Sequence, residues 1–117
     1  MRKSQKWLLI ALIALFSTNS ALADVIKREM RSVWIATVAN IDWPKTKGNS
    51  QSVIQSQKDD LIDYLDRMDA MNINTICFQV RSMCDAMYKS SYEPWSSYLT
   101  GTRGKDPGWD PLQFMVD

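Results

Sequence analysis

The pattern of apolar and polar positions predicts a strand followed by a helix. Residues 32–39 form a nearly continuous apolar and β-branched run, Ser-Val-Trp-Ile-Ala-Thr-Val-Ala, which is typical of a strand covered on both faces. A polar loop follows, and from Val53 to Met71 apolar residues recur at helical spacing. We expect this helix to be capped by Ser50 or Ser52 and to end in a left-handed turn at Asn72.

A second strand is predicted at residues 75–81, where apolar and polar side chains alternate. Every second residue from Ile76 to Val80 is apolar, and we expect the helix to cover that face. Gln79 and Arg81 point the opposite way, which in a closed barrel means inward and toward the top. Strand, helix and strand within about fifty residues form a βαβ unit, so the strands should be parallel with a right-handed crossover.

The second half of the chain is predicted to be a long loop followed by a new helix. Residues 82–109 show no hydrophobic period, while Asp110 and Pro111 combine an N-cap with proline at the first helical position. The sequence stops at Asp117, before that helix completes two turns. We therefore expect the chain to be the first part of a longer protein. Expressed alone, it should fold poorly, because two strands and one complete helix leave open sheet edges.

The N-terminal residues predict a secretory signal. Three basic residues precede an apolar run from Trp7 to Phe16, and a small-residue cleavage motif ends at Ala23. The apolar run is shorter than the roughly 20 residues that span a bilayer, so cleavage is favoured over a retained membrane anchor. We expect a signal peptide at residues 1–23, a domain at residues 24–117, and a periplasmic or extracellular location.

Charge and composition argue against several function classes. Removal of the signal takes away three basic residues and no acidic ones, which changes the formal charge from +1 to −2. No basic patch indicates nucleic acid. The chain has no His, and Cys77 and Cys84 lack metal-ligand spacing, so no metal site is predicted. An extended strand would hold these cysteines apart, so we favour a buried Cys77 and a separate Cys84 over a disulfide.

Polar and aromatic residues follow both predicted strands. Asn40, Asp42 and Trp43 follow the first strand and offer the acceptor, donor and flat apolar ring that suit a sugar; the alternative is turn chemistry. Arg81 ends the second strand, where a guanidinium can bind hydroxyls or carboxylates; the alternative is a salt bridge, for instance with Asp42 or Asp85. Loops after parallel strands converge on one face, so these residues predict a site there.

The long loop supplies more groups of the same kind, namely Asp85, Tyr88, Tyr92, Glu93, Trp95 and Tyr98. We favour Trp95 as an anchor that fixes the loop, and Gln79 as a buried hydrogen-bonding strut. A glycosidase needs two carboxylates that face each other across the scissile bond. Three acidic residues of the two loops are available, but their spacing in sequence establishes no such pair.

Short motifs also follow one another in a recognisable order. They are Arg-Glu-Met-Arg-Ser-Val-Trp-Ile-Ala-Thr-Val at 28–38, Asn-Ile-Asp-Trp-Pro at 40–44, Phe-Gln-Val-Arg at 78–81, Asp-Ala-Met-Tyr at 85–88, Tyr-Glu-Pro-Trp-Ser at 92–96 and Gly-Trp-Asp-Pro-Leu at 108–112. With these motifs, essentially all of residues 28–117 resembles the bacterial glycosyl hydrolase-like 10 family.

The resemblance implies an α/β fold, in which this chain supplies the N-terminal portion of a (β/α)8 TIM barrel. It implies a secreted glycosidase that uses two carboxylates and no cofactor, in a family of which some members act on peptidoglycan glycan strands. Substrate-binding roles carry over to Asn40, Asp42, Trp43, Arg81, Asp85 and Tyr88. The catalytic acid and nucleophile stay unassigned, because barrel glycosidases commonly draw them from later strand ends.

Two alternatives to a hydrolase stay open. A non-catalytic carbohydrate-binding barrel would keep the aromatic loops and lack a carboxylate pair after strands four to seven. Alternatively, the reading frame ends at Asp117 and the product is an inactive truncated remnant. The expected partner is a polysaccharide or a peptidoglycan glycan strand, with no nucleic acid and no stable membrane span after signal cleavage.

Overall fold

A computed structural model describes residues 29–117, and the predicted signal peptide lies outside them. Strands β1 (Ser32–Ile35) and β2 (Thr75–Phe78) pair in parallel, with Ser32 opposite Thr75 and Ile35 opposite Phe78. Helix α1 (Gln51–Ala70) connects them. The predicted parallel βαβ unit is therefore confirmed as a small mixed α/β arrangement, although both strands are shorter than predicted.

Strand β1 ends at Ile35, four residues before its predicted end, because the chain turns back on itself there. The N–H of Ala36 donates to Asp42 Oδ2 (2.8 Å), and the Ala36 carbonyl accepts from the Asp42 N–H (3.0 Å). Between them the chain forms a 3-10 helix at Val38–Asn40, whose last two residues have φ of 53° and 54°. The apolar run at 32–39 therefore contains a strand and a turn.

Helix α1 agrees with its predicted boundaries to within two residues. The Ser50 side chain caps its first turn by accepting from the Val53 N–H at 3.4 Å. Asn72 adopts the left-handed conformation after its last turn, with φ of 58°. Both capping predictions are confirmed. The buried residues of the helix are Ile54, Gln57 and Leu61, so a glutamine lies within the stripe that packs on the core.

The core lies between helix α1 and one face of the sheet. Its fully buried apolar side chains are Ile35, Trp43, Leu61, Met87 and Leu99. Ile76, Phe78 and Val80 pack against them, which confirms that this face of the second strand meets the helix. Burial of this apolar surface is the main favourable contribution to folding of the unit.

The opposite face of the sheet is open within residues 29–117. Trp34 on that face is largely exposed, and Ser32 Oγ lies 3.2 Å from Cys77 Sγ. Cys77 and Cys84 are unpaired, as predicted, with Cys77 half-buried and Cys84 exposed. A closed barrel would cover this face, but the two strands described here do not by themselves establish one.

The long loop contains structure that hydrophobic periodicity did not reveal. Ala86 and Trp95 form an isolated parallel bridge, and Trp95 packs on the core as the predicted anchor. A four-residue helix, α2 (Ser97–Thr100), follows and ends at Gly101, whose φ is 86°. Such a helix is too short to produce a detectable apolar repeat.

The last helix, α3 (Pro111–Val116), begins where the Asp-Pro pair predicted it. Asp110 Oδ1 accepts from the Gln113 N–H at 3.0 Å, which is the predicted N-cap. None of the helices in residues 29–117 has the length and apolar character needed to cross a membrane.

Candidate functional site

The carboxyl ends of β1 and β2 are joined by the side chain of Gln79. Its Oε1 accepts from the backbone N–H groups of Thr37 (2.9 Å) and Val38 (3.0 Å), and its carbonyl accepts from the Thr37 hydroxyl at 2.7 Å. Gln79 is therefore the hydrogen-bonding strut that its position predicted. It fixes the turn after β1 beside β2, two residues before Arg81, and so sets the geometry of this edge.

Arg81 leaves the sheet at this edge and forms an ion pair with Glu93. The Arg81 side chain is 52% exposed, and the Glu93 side chain is 21% exposed. The salt-bridge interpretation is confirmed, but the suggested partners were wrong: Asp42 and Asp85 bond elsewhere. The guanidinium retains a large open surface through which it can donate to a ligand.

Glu93 is held by a tight turn that begins at Ser90. The Ser90 hydroxyl oxygen accepts from the N–H groups of Tyr92 and Glu93, both at 3.1 Å, and the hydroxyl lies 3.4 Å from Glu93 Oε2. Tyr92, at the tip of the turn, is 95% exposed. The turn thus presents an open aromatic ring next in sequence to the carboxylate that pairs with Arg81.

Asn40 and Asp42 organise the loop after β1. Asp42 closes the turn on Ala36, which is the turn chemistry that was the alternative to a binding role. The Asn40 side-chain amide donates to the carbonyls of Pro44 (2.7 Å) and Tyr98 (3.0 Å). Asn40 Oδ1 is buried and has no hydrogen-bond partner among the described residues. It is an acceptor at the sheet edge that a ligand or another segment can satisfy.

Trp43 lies in the core and not on the surface. It is fully buried, and its indole N–H donates to the Gln57 carbonyl at 2.9 Å. Its ring packs against those of Phe78 and Trp109, with centroids 5.6 and 6.1 Å away. In this structure Trp43 therefore offers no open face to a sugar, which corrects the expectation that it forms a flat binding platform.

Asp85 is also buried, within the turn that follows Arg81. Its Oδ1 accepts from the Met83 N–H at 3.1 Å and lies 3.5 Å from the Ser82 hydroxyl. These bonds occupy the carboxylate in local turn structure. A binding role for Asp85 stays a prediction, and the contacts described here are those of a turn residue.

Tyr88 lies in a different place, in a cleft between the long loop and helix α3. The cleft has a volume of about 360 Å³ and is lined by Tyr88, Lys89, Asp110, Leu112, Gln113 and Val116. The Asp110 carboxylate bridges its two sides, because it accepts from the N–H of Lys89 (2.8 Å) as well as from helix α3. The predicted site residues are thus divided between the sheet edge, the core and this cleft.

Gln57 is the residue that sequence reasoning missed. Its side-chain amide donates to the carbonyls of Thr46 (2.8 Å) and Leu99 (2.9 Å), and its Oε1 accepts from the Trp109 indole N–H at 3.2 Å. It thereby joins the loops on which the candidate site is built. The sequence did contain a signal for this role. Gln57 lies on the same helical face as Ile54 and Leu61, where it is a polar residue within an apolar stripe.

The acidic side chains described here do not form a metal centre. Within residues 29–117, no group of three or more Asp, Glu and Cys side chains is arranged to hold a metal ion. Asp42 and Asp85 accept backbone N–H groups, and Glu93 faces Arg81. None of these contacts identifies a catalytic acid or nucleophile, which stay unassigned.

Comparison with known proteins identifies the family. The model of the family described as Glycosyl hydrolase-like 10 matches residues 29–117. The chain belongs to this family. The resemblance seen in its motifs is thereby confirmed over the whole of the described structure.

Two curated relatives are similar to this member of the glycosyl hydrolase-like 10 family. Glycosyl hydrolase YngK of Bacillus subtilis (strain 168) is 51% identical over 90 residues, which cover 77% of this chain and 17% of that protein. Glycosyl hydrolase DigH of Escherichia coli (strain K12) is 42% identical over 105 residues, which cover 86% of this chain and 24% of that protein. The chain thus spans less than a quarter of the length of these relatives, and the family supports a glycosidase-like function at a general level.

Proposed function

We propose that this chain is the N-terminal portion of an exported glycoside hydrolase with a (β/α)8 barrel. It would act on O-glycosidic bonds of a bacterial cell-wall glycan or another polysaccharide. Family membership and the parallel βαβ unit support the proposal. The observation that carries it is the half-exposed Arg81 guanidinium at the carboxyl end of β2, the edge at which parallel barrels bind their substrates.

The roles proposed for this chain are those of substrate binding. Arg81 donates hydrogen bonds to sugar hydroxyls, and the buried Oδ1 of Asn40 accepts one from a hydroxyl or from an adjoining segment. Cleavage follows the two-carboxylate chemistry of glycosidases, in which one group protonates the leaving oxygen and the other acts as nucleophile or base. The two carboxylates stay unassigned, since barrel glycosidases commonly draw them from later strand ends, and the chemistry needs no cofactor.

The hydrolase proposal is tested with the complete natural protein and purified polysaccharides. Peptidoglycan glycan strands and a panel of other bacterial glycans are incubated with it, and new reducing ends are counted. We expect cleavage of at least one glycan. Arg81→Ala should lower kcat/KM on the order of tenfold or more, because it removes charge-assisted hydrogen bonds, and should leave the melting temperature nearly unchanged.

Arg67→Ala is the matched control for this substitution. Arg67 is an exposed arginine of helix α1 that pairs with Asp63 at 3.1 Å, near the helix end that leads into the amino end of β2 and not its carboxyl edge. It should leave both the rate and the melting temperature unchanged. An Arg81→Ala variant that retains the parent rate on the true substrate would contradict the binding role of Arg81.

A non-catalytic carbohydrate-binding barrel is the second candidate. The half-exposed Arg81 and the exposed Tyr92 would serve glycan binding without cleavage equally well. The same experiment separates the two candidates. Retention of a glycan on the protein without any new reducing ends would support binding alone.

Export is proposed on the strength of the first 23 residues, which lie outside the described structure. Cleavage after Ala23 should give a mature chain that begins at Asp24. Mass spectrometry of the protein purified from separated cell fractions shows at which residue the mature chain begins. An intact N-terminus on cytoplasmic protein would contradict export.

A further inference from the structure

The Arg81–Glu93 pair is compensated in charge at the place where a sugar is proposed to bind. A guanidinium and a carboxylate in contact have a net charge near zero, so the pair does not attract anions as a lone arginine would. It retains local polarity, because arginine has five N–H donors and the carboxylate has several acceptor positions. The pair therefore offers donors and acceptors side by side.

Glu93 is the better fixed of the two partners. Its backbone and side chain are both tied to Ser90, and it is less exposed than Arg81. Pro94 follows it directly, and the Pro94 carbonyl accepts from the Ala86 N–H at 2.9 Å, next to the bridge that closes the loop. Among the described residues, the Arg81 side chain hydrogen-bonds to Glu93 alone. Glu93 therefore sets the direction of the guanidinium.

We propose that Glu93 is a positioning residue for Arg81, and that the pair with the adjoining Tyr92 forms a subsite for a neutral sugar bearing adjacent hydroxyls. This inference rests on the proposed function and specifies the substrate class at one subsite. One hydroxyl accepts from Arg81 while its neighbour donates to Glu93. A sugar carboxylate would gain from Arg81 but would be repelled by Glu93, so the subsite discriminates against it.

Tyr92 supplies the apolar part of the subsite. Its ring is almost fully exposed, while its backbone N–H is fixed by Ser90. Sugar rings present C–H groups on their faces, and a flat aromatic side chain is a suitable partner for them. This assigns to Tyr92 the platform role that the buried Trp43 does not fill.

The test uses the complete protein on an array of neutral and carboxylate-bearing glycans, so binding is read independently of cleavage. Glu93→Gln removes the negative charge and keeps the size of the side chain. We expect affinity for neutral glycans to fall on the order of tenfold, the effect of losing one charge-assisted hydrogen bond, and the preference for carboxylate-bearing glycans to rise. Asp63→Asn is the matched control, because it breaks the exposed pair with Arg67, and should change neither.

Further variants separate positioning from a merely structural role. Glu93→Asp, which keeps the charge, should restore part of the neutral-glycan affinity and the preference for neutral glycans. In the Arg81→Ala background, Glu93→Gln should weaken neutral-glycan binding less than it does in the parent, because only the bond from the sugar hydroxyl to Glu93 remains to be lost and the residue that Glu93 positions is gone. Tyr92→Ala should weaken the binding of neutral and charged glycans alike. If Glu93→Gln lowered the affinity for both glycan classes equally and also lowered the melting temperature, Glu93 would have a structural role and the inference would be overturned.

The outcomes distinguish this inference from the function on which it rests. A parent protein that cleaves glycans, with a Glu93→Gln variant whose glycan preference is unchanged, overturns the subsite and leaves the hydrolase intact. A parent that binds glycans without cleaving them overturns the hydrolase, and the change in preference still decides the subsite. A parent that binds no glycan overturns both.

Discussion

The loops that follow β1 and β2 have similar compositions and different structures. Each contains acidic, amide and aromatic residues at the carboxyl edge of the same sheet. In the first loop, Asp42 closes a turn and Trp43 is buried in the core. In the second loop, Arg81 and Tyr92 are directed to solvent. Residue types suited to sugar binding thus supply packing in one loop and an open polar surface in the other.

The difference has a physical origin in where the polar groups find their partners. In the first loop the Asp42 carboxylate accepts from the nearby Ala36 N–H and the Trp43 indole donates to the Gln57 carbonyl, so the loop folds inward. The second loop is closed at its base by the Ala86–Trp95 bridge, which leaves the side chains at its tip outside the core. We therefore expect substitutions in the first loop to affect stability and those at the tip of the second to affect binding.

Trp43→Ala should have the largest effect on stability. It removes a fully buried ring that contacts Phe78 and Trp109, together with the hydrogen bond to the Gln57 carbonyl. We expect the free energy of unfolding of the complete protein to fall by about 3–5 kcal/mol, as measured by chemical denaturation. Trp43→Phe, which keeps an aromatic ring, should lose less. If Trp43→Ala were as stable as the parent, the assignment of this loop to the core would be wrong.

Gln57→Leu should have the second-largest effect on stability. The apolar side chain fits the stripe but leaves the Thr46 carbonyl and the Trp109 indole N–H without their partner, while the Leu99 carbonyl keeps the Gly48 N–H. Each unpaired buried group costs about 1–3 kcal/mol, and partial access of water should lower the sum. Gln55→Leu, at an exposed position of the same helix, is the control and should be nearly neutral. An equal response of the two variants would show that Gln57 does not join the loops.

Substitutions at Asn40 should have an intermediate effect on stability. Its φ of 54° suits glycine better than alanine, so Asn40→Gly should be more stable than Asn40→Ala by about 1 kcal/mol. Both lose the two bonds to the Pro44 and Tyr98 carbonyls and should be less stable than the parent. Thermal unfolding of the two variants in parallel measures the difference. The reverse order would show that this turn has relaxed in the intact protein.

Tyr92→Ala should have the smallest effect on stability. Its ring is exposed, and its backbone bond to Ser90 is kept, so the change in unfolding free energy should lie within about 0.5 kcal/mol. If the comparison of the two loops holds, this variant is as stable as the parent and weaker in glycan binding. A large loss of stability would show that Tyr92 is covered in the complete protein.

The parts of the fold that follow from local chemistry could be predicted from the sequence. Ser50 and Asp110 cap their helices, and Asn72 takes the left-handed turn, because each preference depends only on a few neighbouring residues. The parallel pairing followed from two strands separated by one helix. The motifs identified the family, and the match over residues 29–117 confirmed it.

The parts that depend on contacts between distant residues could not be predicted. The apolar run at 32–39 does not show that Asp42 returns to Ala36 and ends the strand. Nor does the sequence show that Trp43 finds an acceptor on Gln57, which turns its ring into the core. The Glu93 partner of Arg81 depends on a turn at Ser90 that has no hydrophobic signature. Binding residues were therefore harder to place than helices.

The bridge between Ala86 and Trp95 has a consequence for how such proteins diverge. It fixes both ends of the loop segment that contains Ser90 and Tyr92. Residues can therefore be inserted or exchanged at the tip of this segment without moving the sheet. The start of the loop after β1 has less freedom, because Thr37, Trp43 and Pro44 are buried in it. Under the proposed function, new glycan preferences should arise through the length and sequence of the tip, while the buried residues of the first loop are kept.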